Sequence, residues 1–227
     1  MPTRKMPTDS CLIGEPMKPS HDIHLPATIS HYPKGQLPLT YTPGDIGLVS
    51  DPKTPDALSS LIQARERAIY GHTSWANLIH SFGILDEEGN IAEAQQPGVQ
   101  KNHITDYLNQ DVYILHPKAT KSQRNLCVAR WASCVGMEYD VLGFIGLGLQ
   151  TLVGWHVLLD DSHGLICSAL CCYGALAYVE RFSLPYQAMT PADIAHDFAF
   201  PIDEAPVPLN LFARFLDGLV TVAKAIF

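Results

Sequence analysis

The segment "LIHSFGILDEEGNIAEA" (78–94) constrains this chain more than any other stretch. Its two flanks have strand character, with His80, Phe82 and Ile84 on one side of the first run. The acidic tetrapeptide that joins them ends in glycine, a residue that takes the positive φ of a tight turn without steric penalty. A β-hairpin over 78–85 and 90–94 is therefore predicted, and a hairpin needs further strands or helices to cover its apolar face.

The rest of the sequence supplies both. A short strand is predicted at Ile46, Leu48 and Val49 after the turn Pro43-Gly44, and another over 111–117, broken by Pro117. Thr54, Pro55 and Asp56 open a helix that Gly71 closes. Thr120 and Gln123 form a capping box for a helix over 122–136 that would bury Leu126, Cys127, Trp131, Cys134 and Val135. Two more helices are predicted, from about Ser168 to Arg181 and over 190–198, where Pro191 follows the Thr190 cap. This order predicts an α+β domain over 43–198. Residues 1–42 carry seven prolines without a sustained period, as an extended arm would. Residues 199–227 contain Phe212, Phe215, Leu216, Leu219, Ala223 and Ile226 at helical spacing, an apolar helix that would dock on its own domain or on an assembly partner.

Composition narrows the function. A net charge of −8 argues against a phosphate-backbone binder, so nucleic acid is not an expected partner. The apolar run "VLGFIGLGLQTLVGWHVLL" (141–159) has bilayer-spanning length, but its four glycines, Gln150 and His156 and the lack of flanking basic clusters favour a buried helix and lid over membrane contact. The first residues lack a continuous apolar core of the kind a secretory signal has, which points to a reducing cytoplasm. Six cysteines at irregular spacing are then expected as free thiols.

Three of those thiols fall within "GLICSALCCYGAL" (164–176). A nucleophilic thiol gains most at the first turn of a helix, where unpaired N–H groups and the helix dipole favour thiolate. Cys167, just past the Gly164 break, occupies such a place; Cys171 and Cys172 lie inside the helix and are expected to fill core. A metal reading would use His163, Cys167 and Cys171, but Gly164 interrupts the helix and no second Cys/His pair has structural spacing. His21, Asp22 and His24 form a weaker cluster in the arm, and a redox pair would want Cys-x-x-Cys, which is absent. No metal or cofactor is expected. A thiolate needs a base and a group that orients the base. His80 on the first hairpin strand and Glu93 on the second offer one such pair among ten histidines.

"PGDIGLV", "HSFGILDEEGNIAEAQQPGV", "ARWASCVGMEYDVLGF" and "GLICSAL" occur in the order found in circularly permuted papain-like cysteine hydrolases, and the chain resembles the YiiX-like branch of the NlpC-type superfamily. The resemblance covers residues 43 to about 198. It implies a permuted papain-like domain with a small antiparallel sheet packed on helices, Cys167 as nucleophile, His80 as general base and acid, and Glu93 as the group that orients the imidazole. His72 is a rival base, although alignment on "EA" favours His80. Asp160 and Asp161 would oppose thiolate formation if turned inward. The implied substrate is a peptide, with peptidoglycan stem peptides foremost and lipid or thioester acyl groups second. A virion or tail component that uses the domain as an assembly module is the competing expectation, with the arm and the terminal helix as docking elements.

Overall fold

The computed structural model of the protein describes residues 27–50, 63, 66, 67, 70, 77–140, 164–180, 182 and 184–199. Six antiparallel strands form one sheet in the order β1-β6-β2-β3-β4-β5. The strands are β1 (Ala27–Tyr32), β2 (Ile46–Ser50), β3 (Leu78–Ile84), β4 (Asn90–Gln95), β5 (Gly98–His103) and β6 (Asp111–Pro117). The helices α1 (Lys121–Cys134), α2 (Cys167–Ala175) and α3 (Pro191–Ala199), the ones fully bounded among the described residues, make the architecture α+β.

The β3–β4 hairpin forms where the acidic turn predicts it. Asp86 Oδ1 accepts the Asn90 backbone N–H at 2.9 Å, and Gly89 adopts φ +89° with Tyr41 packed against it. A Cβ at Gly89 would lie 2.7 Å from the Tyr41 ring, so both backbone conformation and space call for glycine there.

Alternation along the strands divides the sheet into two apolar faces. One face turns Ile46, Leu48, Ala92 and Leu115 toward Trp131 of α1, Leu170 of α2 and Ile194 of α3, and forms the larger core. The other carries Val49, Phe82, Ile84, Ile91, Val112 and Ile114 and is closed by a 3-10 turn at Ile104–Tyr107, with Tyr32, Leu37 and Tyr41 packed on it.

Trp131 is the centre of the larger core. Its indole lies flush on two glycines: a Cβ on Gly83 of β3 would meet the ring at 2.4 Å, and one on Gly174 of α2 at 2.1 Å. The indole N–H donates to the Leu170 carbonyl at 3.0 Å, so its one polar atom is satisfied in the interior. The predicted capping box is present, with Thr120 and Gln123 exchanging side-chain and backbone hydrogen bonds at the start of α1.

Several expectations differ from the structure. Residues 27–32, assigned to the arm, form the edge strand β1 against β6; flanking prolines are tolerated there because an edge strand has one unpaired side. β5 was not predicted, since Gln100, Lys101, Asn102 and His103 hide the alternation that Val99 begins. α2 ends at Ala175 rather than Arg181. On α1, Cys127, Trp131 and Cys134 are buried as expected, but Leu126 and Val135 are 48% and 44% exposed, because the helix presents only a narrow stripe to the sheet. Of the predicted helix ending at Gly71, only Gln63, Glu66, Arg67 and Tyr70 are described, all helical. The cluster His21, Asp22 and His24, the 141–159 run and the 199–227 helix (beyond the end of α3) lie outside the described residues. Among the described residues no helix is long and apolar enough to cross a membrane.

Truncation of Trp131 should therefore damage the fold more than any other single change on α1. Trp131→Ala is expected to lower the unfolding free energy by about 3–5 kcal/mol. Leu126→Ala, on the exposed side, should stay within about 0.5 kcal/mol of wild type. Urea denaturation followed by tryptophan-independent far-ultraviolet circular dichroism measures both.

Candidate active site

A short extended segment brings Cys167 to the sheet. Glu138 bridges Gly98 at the start of β5 on one side and Gly164 on the other. The Leu165 N–H donates to the Glu138 carbonyl at 3.1 Å and the Asp140 N–H to the Leu165 carbonyl at 3.4 Å. These backbones approach so closely that a Cβ on Gly98 would lie 2.3 Å from the Met137 carbonyl oxygen, and one on Gly164 would lie 2.6 Å from the Asp140 nitrogen. Ile166 then caps α2 in an extended conformation with no side-chain cap, and Cys167 is the first helical residue. The N-cap residue thus offers the first N–H groups of α2 no side-chain acceptor, and such groups favour a thiolate or an oxyanion beside them. Ser168 secures the helix start by donating to the Met189 carbonyl at 2.6 Å.

His80 and Glu93 lie on the face of the sheet away from the helices. The β3–β4 ladder pairs only Phe82–Ile84 with Ile91–Glu93. His80 stands two residues beyond its last rung, where a register shift against β2 bends β3. Cys167, at the start of α2, lies close enough to His80 for thiol and imidazole to shift each other's titration. His80 Nε2 lies 2.7 Å from Glu93 Oε2. A carboxylate only accepts, so Nε2 carries the proton and Nδ1 is left for the thiol.

Glu93 is itself held on every side. Asn102 Nδ2 donates to its Oε1 at 2.7 Å, while Gln95 Nε2 at 2.9 Å and the Tyr107 hydroxyl donate to Oε2. Tyr107 also stacks on His80 with ring centroids 5.7 Å apart, which limits rotation of the imidazole.

These contacts shift three titrations. At Cys167, burial opposes the thiolate, but the His80 charge, the His80 hydrogen bond and the Ser81 backbone N–H and hydroxyl outweigh it and hold the thiol below its ordinary value. At His80, burial opposes the imidazolium, but the Cys167 thiolate and then Glu93 raise it to about 9. At Glu93, burial is again overcome, by the donors His80, Tyr107 and Asn102, so the carboxyl is lowered. Both shifts favour a thiolate–imidazolium pair, in a setting where only 13% of the His80 side chain and 5% of Cys167 are exposed.

The structure thus brings together Cys167, His80 and Glu93. His72, His163, Asp160 and Asp161 lie outside the described residues. Cys171 and Cys172 are buried at 0% and 1% exposure, and burial drives both thiols well above their ordinary value, as core residues behave. Burial also pushes Cys127 up to about 12 and raises Cys134. Among the described residues no group of three or more potential ligands could hold a metal ion. Sequence reasoning missed Gln95, Asn102, Tyr107 and Ser81. Gln95 follows Glu93 by two on one strand and was readable from period two. Asn102 is a diagonal cross-strand neighbour of Glu93, legible only once β5 and its register are known. The buried Ser81 hydroxyl has no hydrogen-bond partner among the described residues; it lies near Cys167 and Cys171, where it favours the thiolate form of each.

Alkylation by iodoacetamide, read cysteine by cysteine across pH, should modify Cys167 with a midpoint below that of an ordinary thiol and leave Cys127, Cys134, Cys171 and Cys172 unmodified. Ser81→Ala should move the Cys167 midpoint upward without exposing the other thiols. An unchanged midpoint would remove Ser81 from the account.

Comparison of the chain with protein-family models, with curated proteins and with solved structures gave no match, so its function is argued from the chemistry of these side chains.

Proposed function

We propose that the protein is a cysteine hydrolase that cleaves an amide bond through a thiolate acyl-enzyme. The observation that carries this reading is the continuous relay from Glu93 through His80 to Cys167, with the thiol at the uncapped start of a helix. Structural cysteines have no use for a buried imidazolium; a nucleophile does.

The chemistry follows from the geometry. The Cys167 thiolate attacks the substrate carbonyl, forming a C–S bond, and the oxyanion is met by the Cys167 backbone N–H at the head of α2. His80 Nδ1 gives its proton to the leaving amine as the C–N bond breaks. Water then attacks the thioester, His80 takes its proton, and the C–S bond breaks to restore the thiolate and the imidazolium. Throughout, Glu93 accepts from Nε2 and so fixes which nitrogen faces the sulfur. Tyr107, whose hydroxyl is raised by burial and then by the Glu93 charge, stays protonated and keeps donating to that carboxylate.

The substrate class is supported by the likeness to permuted papain-like hydrolases, in which peptidoglycan stem peptides are foremost. Purified protein should release amines from such peptides. Cys167→Ala should abolish turnover, and His80→Ala should lower kcat/KM by about 10²–10⁴-fold. Glu93→Gln should lose less, since it keeps an acceptor oxygen. Turnover of thioesters but of no amide would move the assignment to acyl transfer, and full activity in Cys167→Ala would overturn it.

A further inference from the structure

A second relay lies at the other end of β2. Asp45, immediately before β2, is 1% exposed, with an ion pair to Arg124 on one oxygen and a hydrogen bond to His116 on the other. Its Oδ2 lies 2.6 Å from His116 Nδ1 on β6, and its Oδ1 accepts from Arg124 Nη1 at 2.6 Å. His116 Nε2 in turn lies 3.1 Å from the Ser30 hydroxyl on β1. The tautomer follows from these partners. Asp45 only accepts, so Nδ1 carries the proton and Nε2 offers a lone pair to the Ser30 O–H.

We propose that Ser30, His116 and Asp45 form a second nucleophilic centre, in which Ser30 takes the acyl group of an activated carboxylic ester. Three features support it. First, the order of groups is the one a nucleophilic hydroxyl requires: acceptor nitrogen on the hydroxyl, carboxylate on the far nitrogen. Second, the carboxylate is fixed from outside the relay. Arg124 also donates to the Pro43 carbonyl at 3.2 Å and the Pro117 carbonyl at 2.7 Å, so the guanidinium is anchored and Asp45 cannot turn away from the imidazole. Third, the reacting end is accessible. The His116 side chain is 33% exposed, and β1 is the edge strand, so alternate backbone N–H groups beside Ser30 turn away from β6 and can meet an oxyanion.

The same openness sets the substrate class. Water near the relay weakens its electrostatic support, so amides, with their poor leaving groups, are out of reach, whereas esters with good leaving groups are not. Ser30 Oγ attacks the ester carbonyl and its proton passes to His116 Nε2; the alkoxide departs with that proton. Water then attacks the acyl-serine, gives a proton to Nε2, and Ser30 leaves with it. Asp45, just before β2, and Val49 on it, which pairs with His80, are four residues apart, roughly 13 Å along the extended chain, so this centre is separate from the thiol.

The test uses the full chain carrying Cys167→Ala, which removes the thiol centre. It is treated with a fluorophosphonate probe and with p-nitrophenyl acetate, and adducts are mapped by mass spectrometry. One adduct is expected, on Ser30, absent in Ser30→Ala and formed at least about 100-fold more slowly in His116→Gln. Near-ultraviolet circular dichroism of each variant confirms that it folds; a variant that does not is replaced by Asp45→Asn, which should also slow the adduct. No adduct on Ser30, or one formed equally fast in the folded His116 or Asp45 variants, would overturn the proposal.

Discussion

The Trp131 indole, clamped between Gly83 of β3 and Gly174 of α2, is the contact on which the rest of the structure depends. Any side chain at either glycine would push helix and sheet apart, and any smaller residue than tryptophan would leave them unseparated by a defined surface. Because the indole N–H also holds the Leu170 carbonyl, α2 is fixed in rotation as well as in height. The consequence reaches the site directly. Gly83 is three residues from His80, and Cys167 is one turn before Cys171 on the helix that carries Gly174. The distance between base and nucleophile is therefore set by an apolar contact about two helical turns from Cys167 and three residues from His80.

At the site itself, burial and charge act against each other. Each of Cys167, His80 and Glu93 is penalised by burial in its charged form, and each is carried past that penalty by its neighbours: Cys167 by His80 and Ser81, His80 by Cys167 and Glu93, and Glu93 by His80, Tyr107 and Asn102. The titrations of Cys167 and His80 are therefore linked, and so are those of His80 and Glu93. Tyr107, Asn102 and Gln95 matter through Glu93: they satisfy its remaining lone pairs, so the carboxylate is aimed at the imidazole rather than competing for it. The β3–β4 ladder ends at Phe82 and Glu93, and His80 lies two residues beyond that last rung.

Local chemistry made much of this legible. The turn at Asp86–Gly89, the Thr120–Gln123 box, and the Gly164 break before Cys167 each predicted an element from a few residues, because the driving forces are local. His80 and Glu93 could be paired because a hairpin sets register over a short loop. What escaped depends on distant partners. β1 is a strand only because β6 lies beside it, and its prolines argued for an arm. β5 is mostly polar, and its strand character comes from pairing with β4 on one side and, at Gly98, bridging to Glu138 on the other. Asn102 and Tyr107 could not be assigned to Glu93 without that register. The relay through Ser30, His116 and Asp45 joins residues from three separated segments, and no spacing rule in one sequence connects them.

The central claim is that His80 is an imidazolium held by a thiolate on one nitrogen and a carboxylate on the other. Nitrogen-15 NMR of histidine-labelled protein measures this directly as a titration of the His80 ring. The account predicts that His80 keeps both protons until about pH 9, and that in Cys167→Ala, which removes the largest cause of the upward shift, its titration falls markedly. A His80 that titrates near the ordinary histidine value of about 6.5 in the wild-type protein, unaffected by loss of the thiol, would contradict it.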